Sequence, residues 1–339
     1  MEKIIVTGGA GYIGSHTVVE LTNAGYEPIV IDNFINSDPS ILKGIQQITG
    51  KRVKNYEIDC NDKEAMSKVF EVEKNVAGVI HFAAYKAVGE SVSSPLKYYY
   101  NNVGSIITLL EVMNHYHADK LVFSSSCTVY GQPSKLPVTE KSPVLKANSP
   151  YGNTKQICEE ILYDAIYAKM PLKVISLRYF NPIGAHPSSN IGELPIGVPG
   201  NLVPFITQTV AGLRESITIF GGDYNTPDGT CLRDYIHVMD LAKAHVKTLE
   251  LLSTQKTDNF YDVFNIGTGN ANSVLEIINT FEKVTSKKVN YSIGPRRDGD
   301  VEKVYADVKK ANTILKWTSE KNLEDCLRDS WNWQEKLSK

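Results

Sequence analysis

The sequence lacks the features that mark membrane, secreted and metal-binding proteins. None of its apolar runs approaches the roughly 20 residues that a membrane span needs. The first residues read as a strand and not as a signal peptide. Five cysteines are scattered along the 339 residues with no paired spacing, at Cys60, Cys127, Cys158, Cys231 and Cys326. An odd, unpaired set builds neither a disulfide framework nor a zinc site, so we expect a cytoplasmic protein without a membrane or a metal.

An excess of one charge sign is also missing. Lysine and arginine together number 36, and aspartate and glutamate number 38, so the formal net charge is −2. Such a balance gives no long-range attraction to nucleic acid or to an anionic membrane, and we expect neither partner. His115 and His117 lie two apart on a predicted helix and point to different faces, which argues against a metal site there.

What is present is a pattern of short apolar strands that alternate with amphipathic helices. In the first half of the chain we predict strands at residues 4–7, 28–31, 53–58, 78–84 and 121–124, and a helix over 103–117. This alternation predicts an α/β fold, with a doubly wound parallel sheet of the Rossmann type. In such a sheet the ligand lies beyond the carboxyl ends of the strands.

The length predicts a second, smaller structural unit, because 339 residues exceed a usual single core. Proline- and glycine-rich loops fill residues 187–204, whereas a helix over 236–252 and a strand over 263–267 resemble elements of the first unit. We therefore predict a larger domain of residues 1–180, to which about 236–267 return. The remaining segments, about 181–235 and 268–339, form a smaller mixed α/β domain.

Three glycines follow the first strand at a spacing of three. Gly8, Gly11 and Gly14 permit a tight turn, close approach of a pyrophosphate and close packing of the helix that ends near Gly25. The strand before them and the helix after them indicate a dinucleotide-binding turn. Asp32 ends the second strand, 18 residues beyond Gly14, where a carboxylate binds a ribose diol and repels a 2′-phosphate. We therefore predict NAD and not NADP; the alternative is that Asp32 only caps a turn.

Two further strand ends offer groups to the same ligand. The third strand ends at Asp59 and Cys60, beside the place expected for an adenine. The fourth strand ends near Lys86, beside the place expected for phosphate. The alternative for Lys86 is a solvated lysine in a loop.

A predicted helix near the middle of the chain carries a candidate proton-transfer group. Ser149 can cap its free amides, and Pro150 suits its first position. Tyr151 and Lys155 lie four apart and therefore on one face, where an ammonium favours the phenolate of its neighbour. The spacing alone is weak, because Tyr116/Lys120 and Tyr305/Lys309 repeat it.

A serine distinguishes the first of these three pairs. Ser126 lies 25 residues before Tyr151, at the end of the fifth strand, where a substrate oxygen would arrive. Serines at strand ends more often make turns, so Ser126 matters because the tyrosine and lysine follow it. We therefore predict that Ser126, Tyr151 and Lys155 form the catalytic set.

Several longer runs, taken with these residues, carry a family resemblance. They are residues 7–14, 32–33, 84–91, 124–131, 178–187, 228–230 and 233–241. Over nearly its whole length, from Lys3 to about Trp317, the chain resembles the extended short-chain dehydrogenase/reductase family. Within that family it is similar to the nucleotide-sugar 4-epimerases. The resemblance implies a tightly held NAD, a UDP-hexose substrate and a homodimer formed through a helical bundle.

The resemblance also implies roles for individual residues. Tyr151, as phenolate, would take the proton of the sugar 4-hydroxyl; Lys155 would lower the tyrosine pKa and hold the nicotinamide ribose; Ser126 would bond the same sugar oxygen. The implied cofactor residues are Gly8, Gly11, Tyr12, Ile13, Gly14, Asp32, Asn33, Asn36, Ser37, Asp59, Cys60, Phe82, Ala83, Lys86, Asn101, Ser124, Tyr151, Lys155 and Tyr179. The implied substrate residues are Lys86, Ser126, Tyr151, Phe180, Asn181, Asn201, Leu202, Thr218, Phe220, Arg233, Tyr235, Arg297, Asp300 and Val304.

Without the resemblance, some of these residues have plain structural explanations. Arg296 and Arg297 read as a solvated turn, although forked arginine donors suit a diphosphate. Tyr235 and His237 read equally well as structural or as catalytic residues.

The residues between Ser126 and the next glycine separate the reactions that this fold supports. Similar dehydratases carry an Asp-Glu pair before Val-Tyr-Gly, and similar decarboxylases a glutamate. Here Cys127 and Thr128 stand there, so an elimination lacks its general acid. We therefore predict reversible C4 epimerisation of UDP-glucose and UDP-galactose, by hydride transfer to NAD and back through a 4-keto sugar. The alternatives are a dehydratase or keto-sugar reductase of the same family, and a dinucleotide sensor without activity.

One position predicts the breadth of substrates. In the family that this chain resembles, the residue seven beyond the anchoring arginine borders the sugar pocket, and here it is Val304. Because valine is smaller than the aromatic of hexose-only enzymes, we predict some activity on UDP-GlcNAc and UDP-GalNAc as well. A shift of one residue would place Tyr305 there instead.

Overall fold

The computed structural model describes residues 1–297 and 300–339. The described strands, in chain order, are β1 (Lys3–Thr7), β2 (Glu27–Asp32), β3 (Lys54–Glu57), β4 (Val76–His81), β5 (Lys120–Ser126), β6 (Lys173–Tyr179), β7 (Asn181–Ile183), β8 (Ile217–Phe220), β9 (Leu232–Arg233), β10 (Tyr235–His237), β11 (Phe260–Ile266), β12 (Asn272–Ser273), β13 (Tyr291–Gly294) and β14 (Lys303–Val304).

Helices connect most of these strands. They are α1 (Tyr12–Asn23), α2 (Ser40–Thr49), α3 (Lys63–Glu73), α4 (Val88–Ser93), α5 (Pro95–Tyr98), α6 (Gly104–His115), α7 (Pro150–Tyr167), α8 (Leu202–Val210), α9 (Val238–Ser253), α10 (Val274–Thr285) and α11 (Leu323–Leu337). Wider π-type turns occupy Tyr99–Val103 and Ala311–Leu315, and a 3₁₀ turn occupies Cys127–Tyr130. Among the helices in the described ranges, none is long and apolar enough to cross a membrane.

The central sheet confirms the predicted fold class. Seven of the described strands join in the order β3-β2-β1-β4-β5-β6-β11, and all of these pairs are parallel. Alternation along β1 places Ile4 and Val6 in one apolar cluster and Ile5 in another. The first cluster includes residues of α1, α2 and α9, and the second includes residues of α3, α6 and α7. Helices on both faces therefore bury the sheet, as a parallel sheet requires.

The last strand of this sheet comes from far along the chain. Residues of β11 pair with β6 from Phe260↔Lys173 to Ile266↔Tyr179, and α9 packs on α1. The segments between β6 and α9 and those after β11 together form short sheets and another apolar cluster, which includes Ile206, Ile219 and Phe281. These sheets pair β10 with β7, β13 with β8, and β12 and β14 with β9.

Several predicted boundaries are wrong. Residues 236–237 belong to β10, and α9 begins only at Val238, because His237 accepts a hydrogen bond from the Met239 amide and caps it. The predicted loop 187–204 already contains the start of α8 at Leu202. The predicted helix 103–117 begins in a π-type turn and ends at His115, the fourth strand ends at His81, and β6 was not predicted.

Candidate active site

The glycine turn after β1 has no room for side chains. Gly8 has φ of +67°, and a Cβ there would lie 2.8 Å from the Ala83 amide nitrogen. A Cβ on Gly14 would lie 2.2 Å from the Gly8 carbonyl oxygen. Gly11 caps α1 with no side chain, so the first amides of this helix face outward at its positive end. The turn is therefore shaped for an anionic group on the backbone.

Asp32 is buried at the end of β2, and its carboxylate accepts hydrogen bonds from neighbouring segments of the chain. One carboxylate oxygen accepts from the Ala10 amide at 3.0 Å, and the other from the Phe34 amide at 3.0 Å and the Ser37 hydroxyl at 2.8 Å. These bonds hold the loop after β2 against the glycine turn. The turn-capping role is thus present, and it fixes a carboxylate beside the expected ribose.

The ends of β3 and β4 lie along the same edge. Asn33 donates to Asp59 at 3.4 Å, and Asp59 also accepts from the Asn61 amide at 2.8 Å. Cys60 is buried, and its burial raises the pKa of the thiol to about 12, so it remains neutral. The Phe82 amide donates to the Thr7 carbonyl at 3.0 Å, which seats Phe82 and Ala83 beside the glycine turn.

The Tyr151/Lys155 pair is the one of the three tyrosine–lysine repeats that lies within a helix. Ser149 caps α7 by accepting from the Gly152 amide at 3.2 Å, and Pro150 occupies its first position, as predicted. Tyr116 follows the end of α6 while Lys120 begins β5, and Tyr305 follows β14 in extended backbone. One face of α7 therefore presents Tyr151 and Lys155 together.

The electrostatics of Tyr151 differ from the sequence-based expectation. Burial raises the pKa of Tyr151 to about 12, and the Ser126 hydroxyl, which interacts with the phenol, acts in the opposite direction. Ser126 also accepts from the Thr128 amide at 3.2 Å. Ser126 thus favours the phenolate of Tyr151, whereas burial, the larger effect, favours the neutral phenol.

Lys155 is held away from bulk solvent. It is 3% exposed, its Nζ donates to the Ser124 carbonyl at 2.6 Å, and it lies 4.9 Å from the centroid of the Phe123 ring. Burial lowers the pKa of Lys155 to about 8. Lys155 is therefore mostly charged at neutral pH, although its pKa lies only slightly above that pH.

The Lys86 side chain is 59% exposed, but its ammonium is paired. Its Nζ lies 3.0 Å from a carboxylate oxygen of Glu193, and the Asn201 side-chain amide donates to the same oxygen at 2.6 Å. The Lys86 ammonium also lies 5.9 Å from the centroid of the Tyr12 ring. Glu193 thus links two predicted binding residues from different parts of the chain. Nothing in its sequence context marked Glu193.

The predicted nucleotide anchor converges in space. A carboxylate oxygen of Asp300 accepts from Arg297 at 2.8 Å and lies 3.9 Å from Arg233. The Arg297 guanidinium carbon lies 5.4 Å from the centroid of the Phe220 ring, which is 44% exposed. Arg296 turns away to Asp223 and to the Tyr224 ring. Two arginines, an acid and an exposed aromatic ring therefore form one surface.

Val304 and Phe180 belong to one buried cluster. The cluster also contains Val129, Tyr130, Val138 and Ala306. Val304 pairs with Arg233 across β14 and β9, whereas the Tyr305 carbonyl accepts from the Val138 amide at 3.0 Å. Val304 is thus in register with Arg233, while the arginine seven residues before it is Arg297.

The remaining predicted residues lie on several different elements. Tyr12 donates to the Gly184 carbonyl at 2.6 Å, and Tyr179 is buried against His245, with their side chains 3.2 Å apart. Asn101 donates to Asn102, which ties the loop after β4 to Thr154 of α7. Ile13 and Asn36 flank the glycine turn and the Asp32 loop, while Asn181, Leu202, Thr218 and Tyr235 lie on β7, α8, β8 and β10.

The 3₁₀ turn after β5 carries no acid. Cys127 and Thr128 occupy it, and burial raises the pKa of the Cys127 thiol to about 12. The Thr128 hydroxyl oxygen is buried and has no hydrogen-bond partner among the residues that the structure describes. Neither side chain is a proton donor fit for an elimination at neutral pH.

Comparisons with known proteins agree with this geometry. The family described as GDP-mannose 4,6 dehydratase matches residues 5–330. The chain is 51% identical over 331 residues to the UDP-glucose 4-epimerase of Bacillus subtilis, covering 98% of this chain and 96% of that protein. The Bifidobacterium longum UDP-glucose 4-epimerase, crystallised with NAD⁺ and UDP, superposes with a TM-score of 0.94 at 46% identity, covering 98% of each chain. That of Stenotrophomonas maltophila, with NAD and formylated UDP-arabinopyranose, gives 0.96 at 44% identity, covering 100% of this chain and 99% of that one.

Proposed function

The chain belongs to the UDP-glucose 4-epimerases of the extended short-chain dehydrogenase/reductase family, and from this membership we propose which residues carry the reaction. It is an isomerase that interconverts UDP-glucose and UDP-galactose at C4 through a 4-keto sugar. The observation that carries this function at the site is the contact between α7 and the end of β5: Lys155 donates to the Ser124 carbonyl at 2.6 Å, on the helix whose first turn carries Tyr151 and at the strand end that carries Ser126. Cys127 and Thr128 stand where a dehydratase needs acids.

The cofactor is NAD, and the residues present fit it. The glycine turn leaves a cradle that a Cβ would fill, and the open amides of α1 suit a pyrophosphate. Asp32 would hold the adenosine ribose and Lys86 a phosphate, while Lys155 and Tyr179 would lie against the nicotinamide half. When bound, NAD accepts the hydride of C4 and returns it.

Proton transfer at the sugar 4-hydroxyl falls to Tyr151. Burial opposes its phenolate and the Ser126 hydroxyl favours it. The charge of Lys155, one helical turn away, would favour the phenolate as well. Ser126 would also bond the reacting oxygen. After oxidation the keto sugar must rotate within the site so that the hydride returns to its other face. The pocket must therefore leave space around the sugar.

UDP would be held by the surface that Asp300 organises. Arg233 and Arg297 present forked donors for the diphosphate, and Asp300 offers an acceptor for a ribose diol. The exposed Phe220 ring suits stacking with uracil. These residues belong to the segments 181–235 and 268–339, which we propose as the nucleotide-sugar domain.

The sugar pocket is the basis for a broader substrate range. Val304 is small, and it shares a buried cluster with Phe180, another of the predicted substrate residues, which supports its place at the pocket wall. We therefore expect turnover of UDP-GlcNAc as well as UDP-glucose. Steady-state rates on both substrates test this, and Val304→Tyr should abolish only the N-acetyl activity. Absence of N-acetyl epimerisation in the unmodified protein would overturn the proposal.

Exposed apolar residues on α5, α6, α7 and the π-type turn between α5 and α6 support a homodimer. These residues are Leu96, Tyr100, Ile107, Tyr163 and Tyr167, with Leu96 80% and Tyr167 78% exposed. Such a patch marks an interface between helices. Sedimentation should give a dimer that Leu96→Glu converts to a monomer. We also place the protein in the cytoplasm, because its five cysteines are all free.

The decisive experiment supplies UDP-galactose to the purified protein without added cofactor. We expect UDP-glucose to form, and Tyr151→Phe to slow it by about 10²–10⁴-fold because a general acid–base group is lost. The variant should keep its NAD and its affinity for UDP. Inactivity of the unmodified protein, even with added NAD, would reject the function.

A further inference from the structure

A buried group of charges lies behind the catalytic side chains and takes no part in the reaction as described. Glu159 of α7 and Arg178 of β6 are 7% and 5% exposed. Arg178 donates from Nε to Glu159 Oε1 at 2.9 Å and from a terminal nitrogen to Oε2 at 2.5 Å. Ser125 of β5 donates to Oε1 at 2.5 Å. Three charge-assisted hydrogen bonds therefore tie α7 to two neighbouring strands.

The sheet register explains why these groups meet. Ser125 pairs with Arg178 across β5 and β6, and Arg178 pairs with Asn265 across β6 and β11. The Tyr130 ring covers Arg178 at 4.9 Å and its hydroxyl donates to Asn265 at 2.6 Å. This polar row lies at the carboxyl ends of the strands, one residue from Ser124 and Ser126.

The helical spacing connects this row to catalysis. Glu159 lies one turn beyond Lys155 and two turns beyond Tyr151, so the three share one side of α7. On that side Lys155 reaches the Ser124 carbonyl while Glu159 reaches Ser125, the next residue of β5. Any tilt of α7 would move both contacts.

Few titratable groups surround these two residues in the part of the chain that the structure describes. Those near Lys155 or Glu159 are Cys158 of α7, His81 of β4, Arg178 of β6, Tyr130 of the 3₁₀ turn and Tyr261 of β11. Burial lowers the pKa of Lys155 to about 8, and the carboxylate of Glu159 raises it. Removing that carboxylate would also leave Arg178 as a second uncompensated cation behind the lysine.

We infer that Glu159 is a positioning residue for the epimerisation, which seats α7 on the strand ends and keeps the ammonium of Lys155 charged. The inference rests on the role proposed for Lys155. It explains why a buried ion pair stands where an apolar pair would pack at least as well.

The first test replaces only the charge. In Glu159→Gln, the alkaline limb of the kcat profile with UDP-galactose should move down by about one pH unit, because Lys155 deprotonates earlier. Glu160→Gln, at the exposed neighbouring position of α7, is the matched control and should keep the limb in place. A Glu159→Gln profile that merely scales down, with its limb unmoved, would overturn the inference, as would an unchanged profile.

A second readout does not depend on turnover. In protein labelled with ¹³Cε-lysine, the NMR resonance assigned through Lys155→Met should titrate lower in Glu159→Gln than in the unmodified chain. An equal midpoint in both would overturn the inference even if the proposed epimerase activity itself failed.

Two milder variants cover the case in which Glu159→Gln does not fold. Glu159→Asp keeps the charge with a shorter reach, and Ser125→Ala removes one bond to the carboxylate without removing a charge. Each should lower kcat about threefold through misplacement of α7, with an unmoved alkaline limb and retained NAD. If both variants kept the kcat of the unmodified protein, the positioning role would be contradicted.

Discussion

The two sites that we propose for diphosphate ligands, the glycine turn for the cofactor and the nucleotide anchor for the substrate, are built from different parts of the chain. The cradle consists of main-chain groups within about the first 90 residues, namely a glycine turn, helix amides and buried strand ends. The anchor is side chains: Phe220, Arg233, Arg297 and Asp300 come from separate short segments, and the Arg297 side chain is 57% exposed. A backbone cradle cannot adapt, which suits a retained cofactor. A surface of long side chains can release its ligand, which suits a substrate.

The largest effect should come from breaking the cradle. A Cβ on Gly14 would lie 2.2 Å from the Gly8 carbonyl oxygen, so Gly14→Ala must shift the main chain. We expect protein without bound NAD and an activity loss of about 100-fold or more. Cofactor released on denaturation and the UDP-galactose assay measure both. Gly89→Ala, where a Cβ meets nothing within 4 Å, is the control. Full NAD occupancy in Gly14→Ala would refute the rigid cradle.

Breaking the anchor should affect KM more than kcat. Arg233→Lys and Arg297→Lys lose the forked donors but keep the charge, so we expect KM for UDP-galactose to rise about tenfold. The effect should be larger for Arg233, whose side chain is 16% exposed. Bound NAD should be unchanged, which separates the two regions. A fall in kcat at constant KM would show that these arginines serve the chemistry instead.

Low pH should lower the free energy of unfolding of the larger predicted domain, residues 1–180 with 236–267, because three of its buried histidines have lowered pKa values. Burial lowers the pKa of His16 and His81 to about 3 and of His245 to about 4. The unfolded chain binds a proton at each of these histidines below about pH 6.5, whereas the folded chain does not. The contribution of the neutral histidines to the free energy of unfolding is therefore fully present above that pH, and it is lost as the pH falls towards the pKa values of the folded protein. Each histidine costs up to about 1.4 kcal/mol per pH unit in that window.

Thermal unfolding between pH 7 and pH 5 measures this slope. His245→Gln should flatten it, and His115→Gln, at an exposed position of α6, should leave it unchanged. Equal slopes for the unmodified protein and His245→Gln would show that this histidine does not govern the acid response.

The smallest effect separates two adjacent arginines. Arg296 bonds Asp223 at 2.8 Å at an exposed site, away from Asp300. Arg296→Lys should therefore leave KM within about twofold of the unmodified value, because exposed ion pairs contribute little. A rise as large as that of Arg297→Lys would mean that the anchor extends to both arginines.

The sequence predicted the parts that local rules determine. Ser149 and Pro150 located the start of α7, and Gly8, Gly11 and Gly14 located the turn, because capping and steric limits act over a few residues. Strand periodicity located β1 to β5. The doubly wound class followed from their alternation with helices.

The remaining features depend on contacts between distant segments. Leu202 to Pro204 read as loop, yet proline is tolerated in a first helical turn, and α8 begins there. His237 read as helical, but its ring caps α9 from the end of β10. Glu193 has no periodic signal, and only folding brings it to Lys86 and Asn201. The pKa of Tyr151 also follows from burial, which a spacing of four residues does not report.

The origin of β11 has a consequence for how the protein is made. Because residues 260–266 complete the sheet beside β6, a ribosome must release most of the chain before the cofactor sheet can close. Until then β6 is an open edge, available to other nascent chains. A fragment that stops near residue 180 would keep that edge permanently. The whole segment from 181 to 259 is therefore an insertion between two adjacent strands of one sheet.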